Sequence, residues 1–319
     1  MLERMIGLKD IALEVGVSKA TVSLVLNNGN VHGRMISPEV SARVRAAAER
    51  LGYVPNEMVR SMIKGKSHTI ALLASFDPFM LPIIQGYSDV AAEHGYSLRL
   101  ISVGNDVNAA LRKALEYRAD GIAAMSLDPQ LRRTISPDFY RREIPMLGLS
   151  QETRQGNPFF DQSGSAELAV DYLAGLGHRR IVCRHTTSEI AKRRLDGYRQ
   201  AMARHDLEPL EVLEDDGVAP LLSLQPDAVF CTSDRLALQL LQELYARRLF
   251  VPEAFSVMGF GNTAAAELSS PSLTTVNEPY YETGRDCCLS LLHHIKHGEL
   301  LDLPKRLGTI IQRNSTTRK

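Results

Sequence analysis

The sequence predicts an all-α helix-turn-helix head followed by a two-lobed α/β body of doubly wound parallel sheets. Three observations predict it. Residues 7 to 27 write out two short amphipathic helices around a Gly-centred turn. From Thr69 onward short apolar runs alternate with helical segments, the pattern of parallel strands joined by crossover helices. Near Gly164 that strand–helix unit starts afresh, which gives a second lobe.

In the head, Asp10 to Val15 form the first helix and Gly16 supplies the turn, where a residue without Cβ adopts positive φ at little cost. Ser18 is the N-cap of the second helix, Ala20 to Leu26. Val22, Val25 and Leu26 stand at core spacing, while Lys19, Ala20, Ser23 and Leu24 occupy other faces. A helix of this kind can lie in a DNA major groove with its first turns at the base edges. An ordinary helical hairpin has the same grammar, so the segment permits that reading without requiring it. Ser37, Pro38 and Glu39 start a third helix that runs through Val44, Ala47 and Leu51 to a stop at Gly52.

The body reads in order as strand Thr69 to Ala74, helix Leu81 to Gly95, strand Ser97 to Val103, helix Ala109 to Arg118, and strands Gly121 to Met125 and Pro145 to Leu149. The second lobe follows with helix Gly164 to Leu176, strand Arg180 to Cys183, helix Ala191 to His205, strand Ala228 to Cys231, helix Asp234 to Arg247 and strand Phe255 to Met258. Open sheets of this type bind ligands beyond the carboxyl ends of their strands, so a cleft between two lobes is the expected place for a small molecule.

Composition is compatible with this division. A chain of 319 residues with 44% hydrophobic content can bury a large core and divide into two or three domains. Its net charge is zero, but residues 1 to 66 hold ten Lys/Arg against six Asp/Glu, so the head carries about +4 and the remainder about −4. That asymmetry concentrates attraction for phosphates on the head, although solvated helix faces produce excesses of this size too. No run of about 18 apolar residues occurs and the N-terminus lacks a basic-then-apolar leader, which makes a cytoplasmic protein with no membrane partner the expectation. Cys183, Cys231, Cys287 and Cys288 form no CxxC pair, so they read as reduced, structural thiols.

After the third helix comes GYVPNEMVRSM. Here the chain resembles the lactose-repressor (LacI/GalR) family of bacterial transcription regulators. Lys9, Asp10, Ile11, Ala12, Gly16, Val17, Ser18, Thr21, Val22, Ser23, Leu26 and Asn27 match that family's helix-turn-helix pattern. Gly52, Tyr53, Pro55, Asn56, Arg60 and Met62 match its hinge. The resemblance continues through DPFM (Asp77 to Met80), YRADGI, FDQSGSAELAVDYLAGLGHRRI, RRLDGYRQAM, TSDRLAL, VPEAFSVMGFGN, SPSLTTVNEP and the closing RNST. These segments resemble the family's periplasmic-binding-protein-like effector domain.

The resemblance implies a sequence-specific transcriptional regulator, read as a repressor, whose operator affinity responds to a small-molecule effector such as a sugar or related metabolite. It implies a homodimer on a pseudo-palindromic operator, with one recognition helix per half-site. Lys19, Ala20 and Leu24 are expected to face bases. Ser18, Thr21, Ser23, Asn27 and Tyr53 are expected to hold the DNA backbone or position the helix. Asn56 to Ser61, including Val59, would form a hinge helix on DNA, and Met62 would wedge between central base steps from the minor groove. In the effector domain Arg194 matches the ligand-binding arginine and Phe160 an aromatic that packs on the ligand. Asp161, Ser233 and Asp234 match polar pocket positions, and Phe79 lines the opposite lobe. Asp161 and Asp234 could equally be N-caps of the helices after them. The implied boundaries are 1–54 for the head, 55–67 for hinge helix and linker, and 68–319 for effector binding and dimerisation. Within the last, one lobe spans about 68–157 and 280–307, the other about 158–279 and 308–319.

Three positions depart from the family. Gly261 stands where a carboxylate usually follows Gly-[Phe/Tyr], which makes a sugar effector less secure. Leu24 stands where several members carry Arg and offers only apolar contact, and Val59 replaces a small hinge Ala. The loop Asn28 to Ile36 is longer than the common form, so phosphate contacts from His32 or Arg34 are open. No leucine heptad follows Arg313, so a tetramer is not expected.

Two motifs point to other chemistry. Gly259, Gly261 and Ala264 fit G-x-G-x-x-A, but they end a late strand rather than opening a dinucleotide domain. His293 and His297 stand one helical turn apart beside His294, with no carboxylate or Cys evident nearby to complete a metal site, and imidazoles before Gly298 suit a helix end. The reading is therefore not an enzyme, with no cofactor and no metal. A transport-type solute receptor would share the two lobes but have no use for the head.

Overall fold

The computed structural model describes residues 6–26, 36–55, 65–74, 80–125, 127, 129–148, 160–301, 303 and 305–317. The chain divides into two compact units, Met1–His68 and Thr69–Lys319.

The first unit contains α1 (Leu8–Val15), α2 (Lys19–Leu26) and α3 (Pro38–Arg50). Helix α1 starts two residues earlier than the apolar pattern suggested, because the Gly7 amide donates to Asp10 Oδ2 at 2.8 Å and closes the first turn. Gly16 ends α1 at φ +75. Ser18 Oγ accepts the Thr21 amide at 3.0 Å, which starts α2, and Ser37 Oγ accepts the Val40 amide ahead of Pro38, which starts α3. The three helices meet over Ile11, Val15, Val22, Val25, Val44, Ala47 and Ala48, with Leu26 and Tyr53 partly buried against them. Arg43 of α3 donates to the Val15 carbonyl at 2.7 Å and satisfies an acceptor that α1 leaves open. Arg50 pairs with Glu14.

The second unit has two sheets. In the first lobe β1 (Thr69–Ala74), β2 (Ser97–Ser102), β3 (Gly121–Ala124) and β4 (Met146–Leu147) run parallel in the order β2-β1-β3-β4. They are connected by α4 (Met80–Glu93), α5 (Val107–Glu116), α6 (Pro129–Arg133) and α7 (Pro137–Tyr140). The strand expected at Pro145 to Leu149 is shorter, and Gly148 with φ +75 follows its end. In the second lobe β5 (Ile181–His185), β6 (Leu210–Leu213), β7 (Ala228–Cys231), β8 (Ser256–Phe260), β9 (Thr274–Asn277) and β10 (Thr309–Ile311) take the order β10-β9-β8-β7-β5-β6. Only β10 is antiparallel to its neighbour, with Ile310 opposite Val276. The helices here are α8 (Gln162–Gly175), α9 (Glu189–Arg204), α10 (Val218–Ser223), α11 (Asp234–Ala246) and α12 (Ala264–Leu268).

The long α13 (Tyr280–His297) belongs to the first lobe although it follows β9 of the second. Its Cys287, Cys288, Leu291 and Leu292 share a core with Ile70, Leu72, Tyr87 and Val90. Helices α4 and α13 touch backbone to backbone: a Cβ on Gly284 would lie 2.2 Å from the Ile83 carbonyl oxygen, and one on Gly86 2.2 Å from that of Tyr281. Gly284→Ala is therefore expected to force the helices apart and cost about 1–3 kcal/mol, read as a fall of several degrees in the thermal melt. A variant melting with the parent would mean that the crossing yields without cost.

All four cysteines are buried and none forms a disulfide. Burial raises their thiol pKa values, those of Cys231 and Cys288 to about 12, so none of them is a ready nucleophile. Among the described residues no helix is long and apolar enough to cross a membrane.

Candidate nucleic-acid interface and effector pocket

The first turn of α2 is exposed. Ser18, Lys19 and Ala20 are exposed, Thr21, Ser23 and Leu24 half-buried, and Val22 and Val25 hold the opposite face in the core. Ser18 and Thr21 serve the cap, their hydroxyls 2.8 Å apart, which fixes the direction in which Lys19 and Ala20 project. Tyr53 is half-buried and its amide donates to the Ala48 carbonyl at 2.9 Å, so its backbone closes α3 while its ring leans on the core. Asn27, His32, Arg34, Asn56, Val59, Met62 and Phe79 lie outside the described residues.

In the second lobe, side chains from five elements converge at the carboxyl edge of the sheet. Arg194 of α9 is 7% exposed. Its Nε donates to Gln162 Oε1 at 2.6 Å, Nη1 to the Thr232 carbonyl at 2.7 Å and Nη2 to Glu278 Oε2 at 2.9 Å. Its Cζ lies 3.7 Å from the centroid of the Phe260 ring, a stacking that a guanidinium plane makes well. Glu278 also accepts from Gln162 Nε2 at 2.9 Å and from the Tyr280 hydroxyl. Burial, then the Glu278 charge, raises the Tyr280 pKa. Gln162 opens α8, Thr232 follows β7, Phe260 ends β8, and Glu278 stands between β9 and α13.

The other expected pocket residues have local tasks. Asp161 Oδ1 accepts the Gly164 amide at 2.9 Å and caps α8. At α11 the cap is Ser233, which accepts the Leu236 amide, and not Asp234. Asp234 is 1% exposed and ties the loop after β8 to strand β9: Oδ2 accepts the Thr263 amide at 2.7 Å and hydroxyl at 3.1 Å, and Oδ1 accepts the Thr275 hydroxyl at 2.5 Å. Phe160 is 4% exposed, edge-on to Phe260 at 6.4 Å between centroids.

Of the two glycines of the G-x-G-x-x-A sequence, the first makes room for that aspartate and the second serves its own backbone. A Cβ on Gly259 would lie 2.4 Å from Asp234 Oδ1, and Gly261 has φ +130, a conformation that side chains disfavour. At the end of α13 the rings of His293 and His297 are 4.4 Å apart. Glu299 Oε1 lies 3.9 Å from His293 Nε2. Among the described residues no group of three or more His, Cys, Asp or Glu could hold a metal. A concavity of about 450 Å³ in the first lobe, lined by Asp106, Arg112, Phe139 and Arg142 among others, shares no residue with the Arg194 cluster.

Residues 7–56 match the model of the bacterial regulatory proteins of the lacI family, and residues 170–316 that of the periplasmic binding protein-like domain. The ribose operon repressor of Escherichia coli (strain K12) is 32% identical over 96% of this chain and 98% of its own length. The chain belongs to the LacI family. The HTH-type transcriptional repressor PurR of Vibrio cholerae is 31% identical over 92% of this LacI-family chain and 93% of its own. A crystal structure of the lac repressor dimer bound to operator and the anti-inducer ONPF superposes with a TM-score of 0.79 at 23% identity, covering 98% of the present chain and all of the other, which shows the shared fold.

Sequence reasoning named Arg194 but missed Gln162, Thr232 and Glu278 around it. They lie 32, 38 and 84 positions away, and no local pattern links them. The stretch SPSLTTVNEP that contains Glu278 did stand out, but as a family match, not as the source of a counter-charge.

Proposed function

We propose that this LacI-family chain is a sequence-specific DNA-binding repressor whose operator affinity is set by a small-molecule effector bound beside Arg194, between two α/β lobes. The observation that carries the reading is the pairing, in one chain, of an α2 whose first turn is exposed and rigidly capped with a buried guanidinium at the carboxyl edge of a parallel sheet. In that reading Ser18, Lys19, Ala20, Thr21, Ser23, Leu24 and Asn27 approach bases and phosphates, and Tyr53 braces the end of α3. Asn56 and Val59 belong to a hinge helix that forms on DNA, and Met62 wedges from the minor groove. Phe79, Phe160, Asp161, Ser233 and Asp234 surround or shape the pocket. The head would comprise 1–54, hinge and linker 55–67, and effector binding and dimerisation 68–319. Two chains pair on a pseudo-palindrome in the cytoplasm. An effector favouring one relative pose of the lobes shifts the population between DNA-competent and incompetent dimers. The chain works by binding rather than by catalysis.

Selection from a pool of random duplexes by the full-length chain tests this. Enrichment of a pseudo-palindrome with a fixed half-site spacing is the expected result. Failure to enrich any sequence at low salt, where phosphate attraction is strongest, would remove operator recognition from the account.

A further inference from the structure

We infer that Glu278 sets the charge selectivity of the effector pocket: because the protein's own carboxylate already neutralises Arg194, the pocket takes an uncharged effector and rejects carboxylates and phosphates. The inference rests on the reading that the effector binds beside Arg194.

An arginine selects an anion when its planar fork is free to make two parallel N–H···O contacts. Here Nε, Nη1 and Nη2 each already donate, to Gln162, Thr232 and Glu278, and the guanidinium face lies on Phe260. The side chains of Arg194 and Glu278 are only 8% and 5% exposed, so their attraction is little screened. For an anionic ligand to take Arg194, Glu278 would have to remain buried without its counter-charge, held only by Gln162 and the Tyr280 hydroxyl. The surrounding charge adds to the barrier. Asp234 is a second buried carboxylate in this lobe, and it accepts from hydroxyls and one amide. The charges of Glu278, Arg194 and Asp234 all act on the Tyr280 hydroxyl, whose pKa is raised first by burial. Gly261 has no carboxylate to offer and a backbone poorly suited to one, so the acid that faces Arg194 comes from position 278 instead. Two further positive groups lie near each other, Arg132 of α6 and Arg193 of α9: burial, and with it the Arg193 charge, lowers the Arg132 pKa. An anion held between them is the competing outcome.

The test uses the full-length dimer and matched probes: glucose with gluconate, ribose with ribose 5-phosphate, and inosine with its 5′-monophosphate. Binding is followed by thermal shift and calorimetry, and operator affinity is measured in parallel. The expected result is that a neutral member binds and that its anionic partner binds at least about 10-fold more weakly. Glu278→Gln should then move that ratio toward the anion by about 10-fold or more. An anion that binds the parent as tightly as its neutral partner overturns the inference, as does an unchanged ratio in a folded E278Q. The ratio in the parent decides the matter even if the variant does not fold. If an anion binds and moves operator affinity, the charge rule fails while the effector reading stands. If no probe binds or moves operator affinity, both fail.

Discussion

Arg194→Ala is expected to abolish the effector's influence on operator binding, with effector affinity falling by more than about 100-fold, roughly 3 kcal/mol. It should also destabilise the second lobe. The guanidinium is the hub that joins Gln162, the Thr232 carbonyl and Glu278, and its loss leaves a buried carboxylate without its counter-charge. Removing one member of such a pair costs about 3–5 kcal/mol, far more than the net worth of the pair. The two effects separate in the variant that removes both charges, Arg194→Leu with Glu278→Leu. Replacing a buried pair by apolar groups is often neutral or favourable, so the double variant should regain most of the lost melting temperature. It should not regain the effector response. A double variant that is stable and still responds with parental affinity would place the pocket elsewhere.

That expectation depends on contacts that the sequence did not display, and the reason is physical. Local patterns are legible where a few neighbouring residues decide the outcome. Strands β1 and β7 fall on Thr69–Ala74 and Ala228–Cys231, where continuous apolar runs place them, and Ser37-Pro38 and Gly298 bound helices as their chemistry requires. Elements whose stability is tertiary escaped. Strand β10 is three residues long and exists because it pairs with β9, more than thirty positions earlier, after the chain has crossed to the first lobe and returned. Strand β6, in the charged stretch EPLEVLEDD, sits at a sheet edge where it need not be apolar.

The same division runs through the pocket. A cap is a local device, and the alternative tasks of Asp161 were legible in advance. Asp234 was not, because its partners Thr263 and Thr275 come from β8's exit loop and from β9. Glu278 is an acid in a polar stretch of sequence, and only folding turns it into the counter-charge of Arg194. Sequence reasoning thus named the arginine and not the carboxylate that faces it, because that pairing is a property of the assembled set.

In the head, Ala20→Glu should separate folding from recognition with opposite signs. Ala20 is the second residue of α2, exposed, with the helix held by Val22 and Val25 on the other side. A carboxylate in the first turn of a helix interacts favourably with its positive end, typically by about 0.3–1 kcal/mol, so the head should be as stable as the parent or slightly more so. On DNA the same charge faces phosphates and base edges. Losing the contact and repelling the duplex should cost about 3 kcal/mol per half-site, so operator affinity falls at least about 100-fold. In the proposed dimer two such helices face the operator, so the loss should compound, and high salt should not reverse it where a base contact has been removed. Binding and thermal melting measured on one preparation provide the check. Parental operator affinity in a folded A20E would turn α2 away from the bases. Joint loss of folding and binding would instead mean that position 20 supports the packing of the helix.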